Sequence, residues 1–252
     1  MSTKRKNSSG DGDVASMNGE KDRFNKAKNI KEMVEVRSMS IGEMEHRKII
    51  YPGMDNRSVL NAFREIRTRL VERSSKKNFI VLVSSIVPEG GGSLVALNLA
   101  AALALDQTKT ALLIDCNLYE ASIDSLLSVK PEAGLTDYLV DESIDVDDII
   151  YDSGIRRLRV IPIGQNVEGA AEHFSSSRMV AFINSIRERY HDRYIVIDAP
   201  PVGLSAEGRI LAELSDFSML VIPYGRVTDA QIQSGIAAVN KEKLAGVVFN
   251  NK

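Results

Sequence analysis

Short apolar runs alternate with amphipathic segments along most of the chain, and this alternation predicts strands connected by helices. Six runs are rich in β-branched residues, as in strands whose two faces are both covered. They lie at residues 79–84, 110–114, 158–163, 194–197, 218–223 and 245–249. Strands that alternate with helices in this way predict an α/β fold with a doubly wound, mostly parallel sheet and helices on both faces.

The segments between these runs have the spacing of helices. Apolar residues recur at helical intervals from Leu60 to Val71, which predicts a helix over residues 57–74. The other helices are predicted at residues 94–105, 123–127, 135–140, 178–190, 207–214 and 229–240. The last of these begins with a capping box, because Gln231 follows Thr228 at the third position.

The first 45 residues have a different character. Ser, Asn, Gly, Asp and Lys predominate over the first thirty, so too few apolar side chains are present to offset the entropy cost of ordering. We therefore predict a disordered tail over residues 1–45 and one α/β domain over residues 46–252. Basic residues cluster between Lys21 and Lys31. This cluster is either a patch for anionic lipid or an acidic partner, or, as we favour, simply a solvated tail.

The overall composition narrows the class of protein. The 252 residues carry a formal net charge of -2, which argues against a wholesale basic nucleic-acid binder. The longest apolar stretch, residues 94–105, is far shorter than the ~20 residues that a membrane span needs. The first residues lack the apolar segment of a secretory signal. The sole cysteine, Cys116, cannot form an internal disulfide and suits a reducing compartment. We expect a soluble cytoplasmic protein.

Three predicted strand ends carry candidate chemistry. The first strand runs into a Gly-rich turn, residues 89–93, and then a helix, an arrangement that directs backbone N–H groups at one point and favours an anion. Asp115 ends the second strand and Asp198 ends the fourth. A single Asp in such a place is usually a turn former. Two of them beside this turn indicate descent from a nucleotide site with magnesium.

The turn departs from a working phosphate loop at one position. Such a loop ends in Gly-Lys-Ser/Thr, where the lysine neutralises phosphate charge and the hydroxyl holds magnesium. This chain has Gly91-Gly92-Ser93 instead. The hydroxyl is therefore kept and the lysine is missing.

From about Asn61 to Asn250 the sequence resembles the cytoplasmic P-loop domain of the bacterial tyrosine kinases of capsule and exopolysaccharide loci, which are related to the MinD/ParA ATPases. The matching segments are Ala62–Thr68, Pro88–Leu94, Leu112–Asp115, Gly134–Leu139, Ser177–Met179, Arg189–Arg193 and Ile195–Pro201. The resemblance implies a nucleotide-binding turn formed by Glu89, Gly90, Gly91, Gly92, Ser93 and Leu94. It implies magnesium ligands at Ser93, Asp115 and Asp198, of which the two aspartates would be catalytic in an active member. It also implies a subunit contact through Asn61, Arg64 and Arg67.

Several family positions are changed. Gly92 replaces the lysine, Leu94 the second hydroxyl, Asn117 the second Asp, Tyr119 an Arg, and Asn61 the Glu of the subunit-contact motif. Val87 stands at the position of the extra lysine of MinD-type relatives, and the sequence ends at Lys252 without a Tyr-rich tail. One lost charge-assisted hydrogen bond weakens binding by about 10- to 150-fold. We expect at most weak ATP or ADP binding with magnesium and no other cofactor.

The resulting hypothesis is a non-catalytic adaptor that regulates exopolysaccharide chain length or export. Its expected partner is the cytoplasmic segment of a membrane copolymerase or a paralogous active kinase, in a homo- or hetero-oligomer, at the inner face of the plasma membrane. No specific nucleic acid is expected. Two alternatives stay open: an active ATP-dependent tyrosine autokinase or ATPase of the same pathway, and a ParA/MinD-like positioning ATPase. The three histidines have no partner at ligand spacing, so we predict no other metal site.

Overall fold

The computed structural model describes residues 38–119, 123–127, 130–165, 168–190 and 192–251. Most of the predicted disordered tail, residues 1–37, therefore lies outside the described residues. The prediction of disorder is wrong for residues 41–45, because a helix, α1 (Ile41–His46), begins there. Ser40 starts this helix with a capping box, in which its hydroxyl accepts from the Glu43 N–H and its own N–H donates to the Glu43 carboxylate.

The helix predicted before the first strand is present as α2 (Arg57–Arg73), and the predicted bounds of the other long helices are close to those observed. The helices after α2 are α3 (Gly92–Ala104), α4 (Leu135–Val140), α5 (Ala170–Ser175), α6 (Ser177–Arg189), α7 (Ala206–Leu214) and α8 (Asp229–Ala237). Single 3₁₀ turns occur at Ile123–Leu126, where we predicted a helix, and at Val146–Ile149. The second turn and α5 were not predicted. In the described part of the chain, no helix has the length and apolar character needed to cross a bilayer.

All six predicted strands are confirmed and form one sheet together with a seventh. The strands are β1 (Ile80–Ser85), β2 (Thr110–Asp115), β3 (Tyr151–Asp152), β4 (Leu158–Ile161), β5 (Arg193–Ala199), β6 (Phe217–Pro223) and β7 (Leu244–Asn250). Their order is β3-β4-β2-β5-β1-β6-β7, and every pair is parallel except β3 with β4. The doubly wound α/β fold is thus confirmed, with a two-residue antiparallel edge strand that the sequence pattern did not reveal.

The central strands β1, β2 and β5 are buried on both faces, which explains why they contain continuous apolar runs. Alternate residues of β1 belong to two different cores: Val81 and Val83 pack on the side of α2 and α3, and Ile80 and Leu82 on the side of α4 to α8. The helix α3 is buried from Val95 to Ala104 and lies against β1, β2 and β5. The start of α3 is consequently held rigidly beside the carboxyl ends of the three central strands.

Candidate functional site

The Gly-rich turn connects β1 to α3 and is too tight for side chains at two positions. A Cβ on Gly90 would lie 1.9 Å from Ser85 Oγ, and one on Gly91 would lie 2.1 Å from Asn250 Nδ2. Gly91 also has a φ of +86°, which favours glycine, and it is the N-cap of α3. No side chain caps this helix. Its first N–H groups and the positive end of its dipole therefore suit an anion.

Gly92 occupies the position of this turn at which a phosphate loop has its lysine. Gly92 is the first residue of α3 and is buried. A Cβ placed there would lie 3.0 Å from Ser85 N, a tighter approach than side chains normally make. The position therefore faces a confined space at the base of the site, where a lysine would have met phosphate oxygens.

The two predicted carboxylates lie side by side. Asp115 of β2 and Asp198 of β5 are partners in the parallel ladder, and both are fully buried. Asn117 N–H donates to Asp115 Oδ1 at 2.9 Å, and Asn117 Nδ2 donates to Ser93 Oγ at 3.3 Å. These bonds link the Asp115 carboxylate, through Asn117, to the start of α3. The structure thus brings together Ser93, Asp115 and Asp198, the three residues that the sequence analysis named for magnesium.

These oxygen atoms fit a magnesium ion, which prefers carboxylate, hydroxyl, phosphate and water oxygens. Ser93, Asp115 and Asp198 would hold it, directly or through water, and the ion would neutralise phosphate charge beside the turn. In the ranges that the structure covers, no three Asp, Glu, His or Cys side chains converge on one point. A cation at this corner would therefore need phosphate or water oxygens to complete its shell.

Asn117 changes the chemistry of this corner. It is 7% exposed and stands where the family has a second aspartate. Its Oδ1 is buried without a hydrogen bond from the described residues, while its Nδ2 is bonded to the Ser93 hydroxyl. The substitution thus removes one negative charge and occupies a lone pair of the hydroxyl that would face magnesium.

A cavity of about 490 Å³ opens above the turn, a size in the usual range for small-molecule sites. Its walls are formed by Ser85, Val87, Pro88, Glu89, Gly90, Gly92, Asn117, Tyr119, Ala199, Pro201, Leu204 and Ser205. Tyr119 is 71% and Leu204 66% exposed at its rim. No Lys or Arg is among these lining residues, and the only charged side chain is the acidic Glu89.

Cys116 directly follows Asp115, donates its N–H to Asp198 O at 2.8 Å and is unsuited to nucleophilic chemistry. Burial raises the pKa of its thiol well above the usual range, and the charges of Asp115 and Asp198 raise it further. Since the thiolate is the reactive form, the thiol stays inert in the folded protein.

We expect the native protein to react with a thiol reagent at pH 8 at least about 100-fold more slowly than the chain unfolded in guanidinium. Because Cys116 is the only cysteine, the absorbance of the released aromatic thiol reports on this residue alone. Rapid labelling of the native protein would contradict the buried position.

The segment Gly134–Asp137, which resembles the family, holds the start of α4 and the turn after β4 together. Asp137 accepts the N–H of Gly134 at 2.8 Å and that of Gln165 at 3.1 Å. Thr136 Oγ1 donates to Ile163 O at 2.8 Å. The segment therefore fastens the start of α4 to the turn that follows β4.

Arg178, from the matching segment Ser177–Met179, also has an internal role. Its Nε donates to Tyr138 O at 2.7 Å and its Nη2 to Asp141 O at 2.8 Å, so it caps the carboxyl end of α4. Its guanidinium lies 4.4 Å from the centre of the Tyr138 ring. This motif residue fastens α6 to α4.

The proposed subunit-contact residues differ in exposure. Asn61 and Arg64 are exposed on α2. Arg67 is partly buried, and its Nη1 donates to Ala102 O at 3.2 Å, near the carboxyl end of α3. Arg67 thus joins α2 to the helix that carries the turn, and of the three residues only Asn61 and Arg64 are exposed.

Four residues at the site were missed by sequence reasoning. Leu204 and Ser205 line the cavity beyond β5, and Arg226 and Asn250 contact the turn from beyond β6 and at the end of β7. The rule that ligands lie past the carboxyl ends of parallel strands points to all four places. Without the strand order, no pattern in the sequence distinguishes them from ordinary loop residues.

The sheet order, the Gly-rich turn at the end of β1 and the paired strand-end carboxylates define a P-loop ATPase fold of the MinD/ParA type. A ParA family ATPase from Chlorobium tepidum shares it with a TM-score of 0.54 at 18% identity, over 69% of this chain and 74% of that one. The kinase domain of the Escherichia coli tyrosine kinase ETK shares it with a TM-score of 0.71 at 23% identity, over 85% of this chain and 88% of that domain.

No protein-family model matches the chain. The tyrosine-protein kinase YwqD of Bacillus subtilis is 30% identical over 196 residues, which cover 75% of this chain and 80% of YwqD. The tyrosine-protein kinase CpsD of Streptococcus agalactiae is 29% identical over 194 residues, or 75% of this chain and 81% of CpsD. The chain therefore belongs to the bacterial tyrosine kinase family.

Longer proteins contain the same domain. The succinoglycan biosynthesis transport protein ExoP of Rhizobium meliloti is 24% identical over 176 residues, which are 68% of this chain but only 22% of ExoP. The matched domain is thus a minor part of that polypeptide.

Proposed function

We propose that this protein is a non-catalytic member of the family, an adaptor that regulates exopolysaccharide synthesis or export and binds Mg-nucleotide weakly at most. The observation that carries the proposal is the cavity above the turn, which has no basic side chain among its described lining residues and has Gly92 at the lysine position. Phosphoryl transfer depends on fixed positive charge around the transferred group more than nucleotide binding does. Loss of this charge therefore harms catalysis most.

The remaining oxygen ligands explain why weak binding is part of the proposal. Ser93, Asp115 and Asp198 keep their places beside the turn, and the N–H groups at the start of α3 remain available to an anion. Magnesium and backbone N–H groups can hold a diphosphate without a lysine, at reduced affinity. The same three oxygen ligands are also what the alternative, an active ATP-dependent tyrosine kinase, would require.

Support for the pathway comes from the relatives. ExoP is named for succinoglycan biosynthesis and transport, and in it the matched domain belongs to a much longer chain. We propose that the present domain acts on the cytoplasmic segment of a membrane copolymerase or on a paralogous kinase, through exposed surfaces such as Asn61 and Arg64 of α2. Such a partner would hold it at the inner face of the plasma membrane.

Calorimetric titration with ATP and magnesium tests the proposal. We expect no binding, or a dissociation constant above about 100 µM, because the lost charge-assisted bond alone weakens binding by about 10- to 150-fold. We also expect no phosphate release above a buffer blank. The relative YwqD, measured alongside, provides a positive control for the assay.

A micromolar dissociation constant that Asp198→Ala abolishes would reject the non-catalytic proposal and favour the active kinase. Asp148→Ala is the matched control, because this aspartate lies in the 3₁₀ turn Val146–Ile149 and lines no part of the cavity. It should leave any binding unchanged.

A further inference from the structure

Two side chains from the β6 and β7 side of the sheet contact the Gly-rich turn. Arg226, in the loop after β6, donates from Nη1 to Glu89 O at 3.1 Å. Asn250, the last residue of β7, donates from Nδ2 to Gly90 O at 3.0 Å. Two consecutive carbonyl groups of the turn are therefore each bonded to a different side chain, and neither donor lines the cavity.

These bonds also set the direction of two N–H groups. The described chain has no cis peptide bond, so each N–H points opposite to the carbonyl of its own peptide unit. Holding the Glu89 carbonyl fixes the N–H of Gly90, and holding the Gly90 carbonyl fixes that of Gly91. Both N–H groups are thereby directed away from Arg226 and Asn250, while Glu89 and Gly90 themselves line the cavity.

The backbone of the turn needs such support. Glu89 has a φ of +53°, a conformation that costs a non-glycine residue free energy. Gly91 packs so closely on the Asn250 carboxamide that a Cβ would lie 2.1 Å from its nitrogen. The main chain of Asn250 is itself held, because its carbonyl accepts the Tyr224 N–H at 2.8 Å. The end of β7 and the loop after β6 thus form one support behind the turn.

We infer that Arg226 and Asn250 are positioning residues that hold the Gly-rich turn in its anion-binding conformation from outside the cavity lining. In a turn without a lysine, the affinity for phosphate depends on these oriented N–H groups, which makes their support more important than in a complete phosphate loop. Only the identity of the bound anion, a nucleotide phosphate, rests on the proposed function. The orientation of the turn can be measured without any ligand.

Hydrogen exchange of the peptides that cover residues 86–95 is the decisive measurement. Asn250→Asp keeps the shape of the side chain and removes its N–H donor, while Arg226→Gln removes the charge and shortens the reach. Each lost bond should accelerate exchange of the turn by about 2- to 12-fold, the value for one hydrogen bond. Arg226→Lys, which keeps a charged donor, should restore most of the protection.

Matched controls separate this role from a general loss of stability. Asn240→Asp makes the same chemical change at a residue whose side chain accepts from the Glu242 N–H, so it should leave the turn unchanged. Arg209→Gln removes an exposed arginine of α7 and should also have no effect. Exchange of the buried strands β1 and β5 reports on global unfolding and should stay as in the unmodified protein.

Binding of MgADP, measured by calorimetry, is the second arm, and it should weaken by a similar factor in both variants. If the unmodified protein binds no MgADP but exchange of the turn accelerates in the variants, the positioning role is supported and the proposed function, which allows for no binding, stands as well. Unchanged exchange of residues 86–95 in both Asn250→Asp and Arg226→Gln overturns the inference, whatever the nucleotide result.

Discussion

Replacing Gly134 by alanine is expected to lower the free energy of unfolding by about 3 kcal/mol, the upper part of the usual range for overpacking. A Cβ at this position would lie 2.3 Å from Gly164 N and 2.5 Å from Pro162 O. Both are backbone atoms, so no side-chain rotation can relieve the contact. The whole turn after β4 would have to move.

That turn is not free to move. Gly164 has a φ of +95°, and its own Cβ position is blocked by Asp137 Oδ2 at 2.6 Å and Thr136 Oγ1 at 2.7 Å. Leu135 N–H donates to Pro162 O at 2.9 Å, which draws the two segments together. Added volume at residue 134 therefore breaks several hydrogen bonds at once.

Thermal and guanidinium unfolding measure the effect. For a domain of this size, about 3 kcal/mol corresponds to a fall in Tm of about 6–12 °C. Gly246→Ala is the matched control, because a Cβ there meets nothing within 4 Å. If Gly134→Ala and Gly246→Ala have the same stability, the close packing of this motif is refuted.

Gly134 also shows where reasoning from sequence reaches its limit. Its segment was recognised by resemblance alone, and neither propensity nor period indicates that a glycine here faces the backbone of Gly164. The contact arises because the chain, after β4, returns to the start of α4 and brings Gly164 against Gly134, 30 residues earlier. A steric requirement of that kind belongs to the tertiary structure, so it became visible only with the fold.

The central strands were predictable for a physical reason that the edge strand β3 does not share. Each central strand is covered on both faces, so β1, β2 and β5 contain apolar runs that stand out in the sequence. The edge strand β3 has two partly buried residues, and it leaves no such pattern. The helix α1 has no buried residue. Its start is determined by the local capping box of Ser40 and Glu43, a signal weaker than a buried run.

The candidate site was partly predictable because parallel strands place their carboxyl ends on one edge. That rule is sufficient to bring Asp115 and Asp198 together with the turn after β1. Arg226 and Asn250 lie 137 and 160 residues from their partners in the turn. Their contact depends on the order β1-β6-β7, which the strand pattern alone does not determine.

Restoring the lysine by Gly92→Lys is expected to raise ATP affinity by about 10- to 150-fold and to give no tyrosine phosphorylation. The added ammonium group can reach phosphate oxygens and so contributes to binding. Turnover also requires the magnesium ion to be held correctly, and Asn117 still replaces a carboxylate and still bonds the Ser93 hydroxyl. Phosphoryl transfer needs both charges in place.

The geometry at residue 92 limits even the gain in affinity. The Cβ of the lysine would lie 3.0 Å from Ser85 N and 3.5 Å from Ser85 Cβ, so the start of α3 must shift by a few tenths of an ångström. Gly92→Met is the matched control, because its unbranched side chain makes the same demand without a charge. A gain in affinity for lysine and none for methionine would attribute the effect to the charge.

Phosphotyrosine blotting with an added tyrosine-containing copolymer measures the chemistry, so the supply of acceptor tyrosines does not limit the result. Gly92→Lys combined with Asn117→Asp returns both the cation and the second carboxylate, and it is the variant in which we expect activity to emerge first. Robust phosphorylation by Gly92→Lys alone would show that the lysine was the only missing part. The amide of Asn117 would then be compatible with catalysis. The proposed lack of activity would be due to residue 92 alone, and not to residues 92 and 117 together.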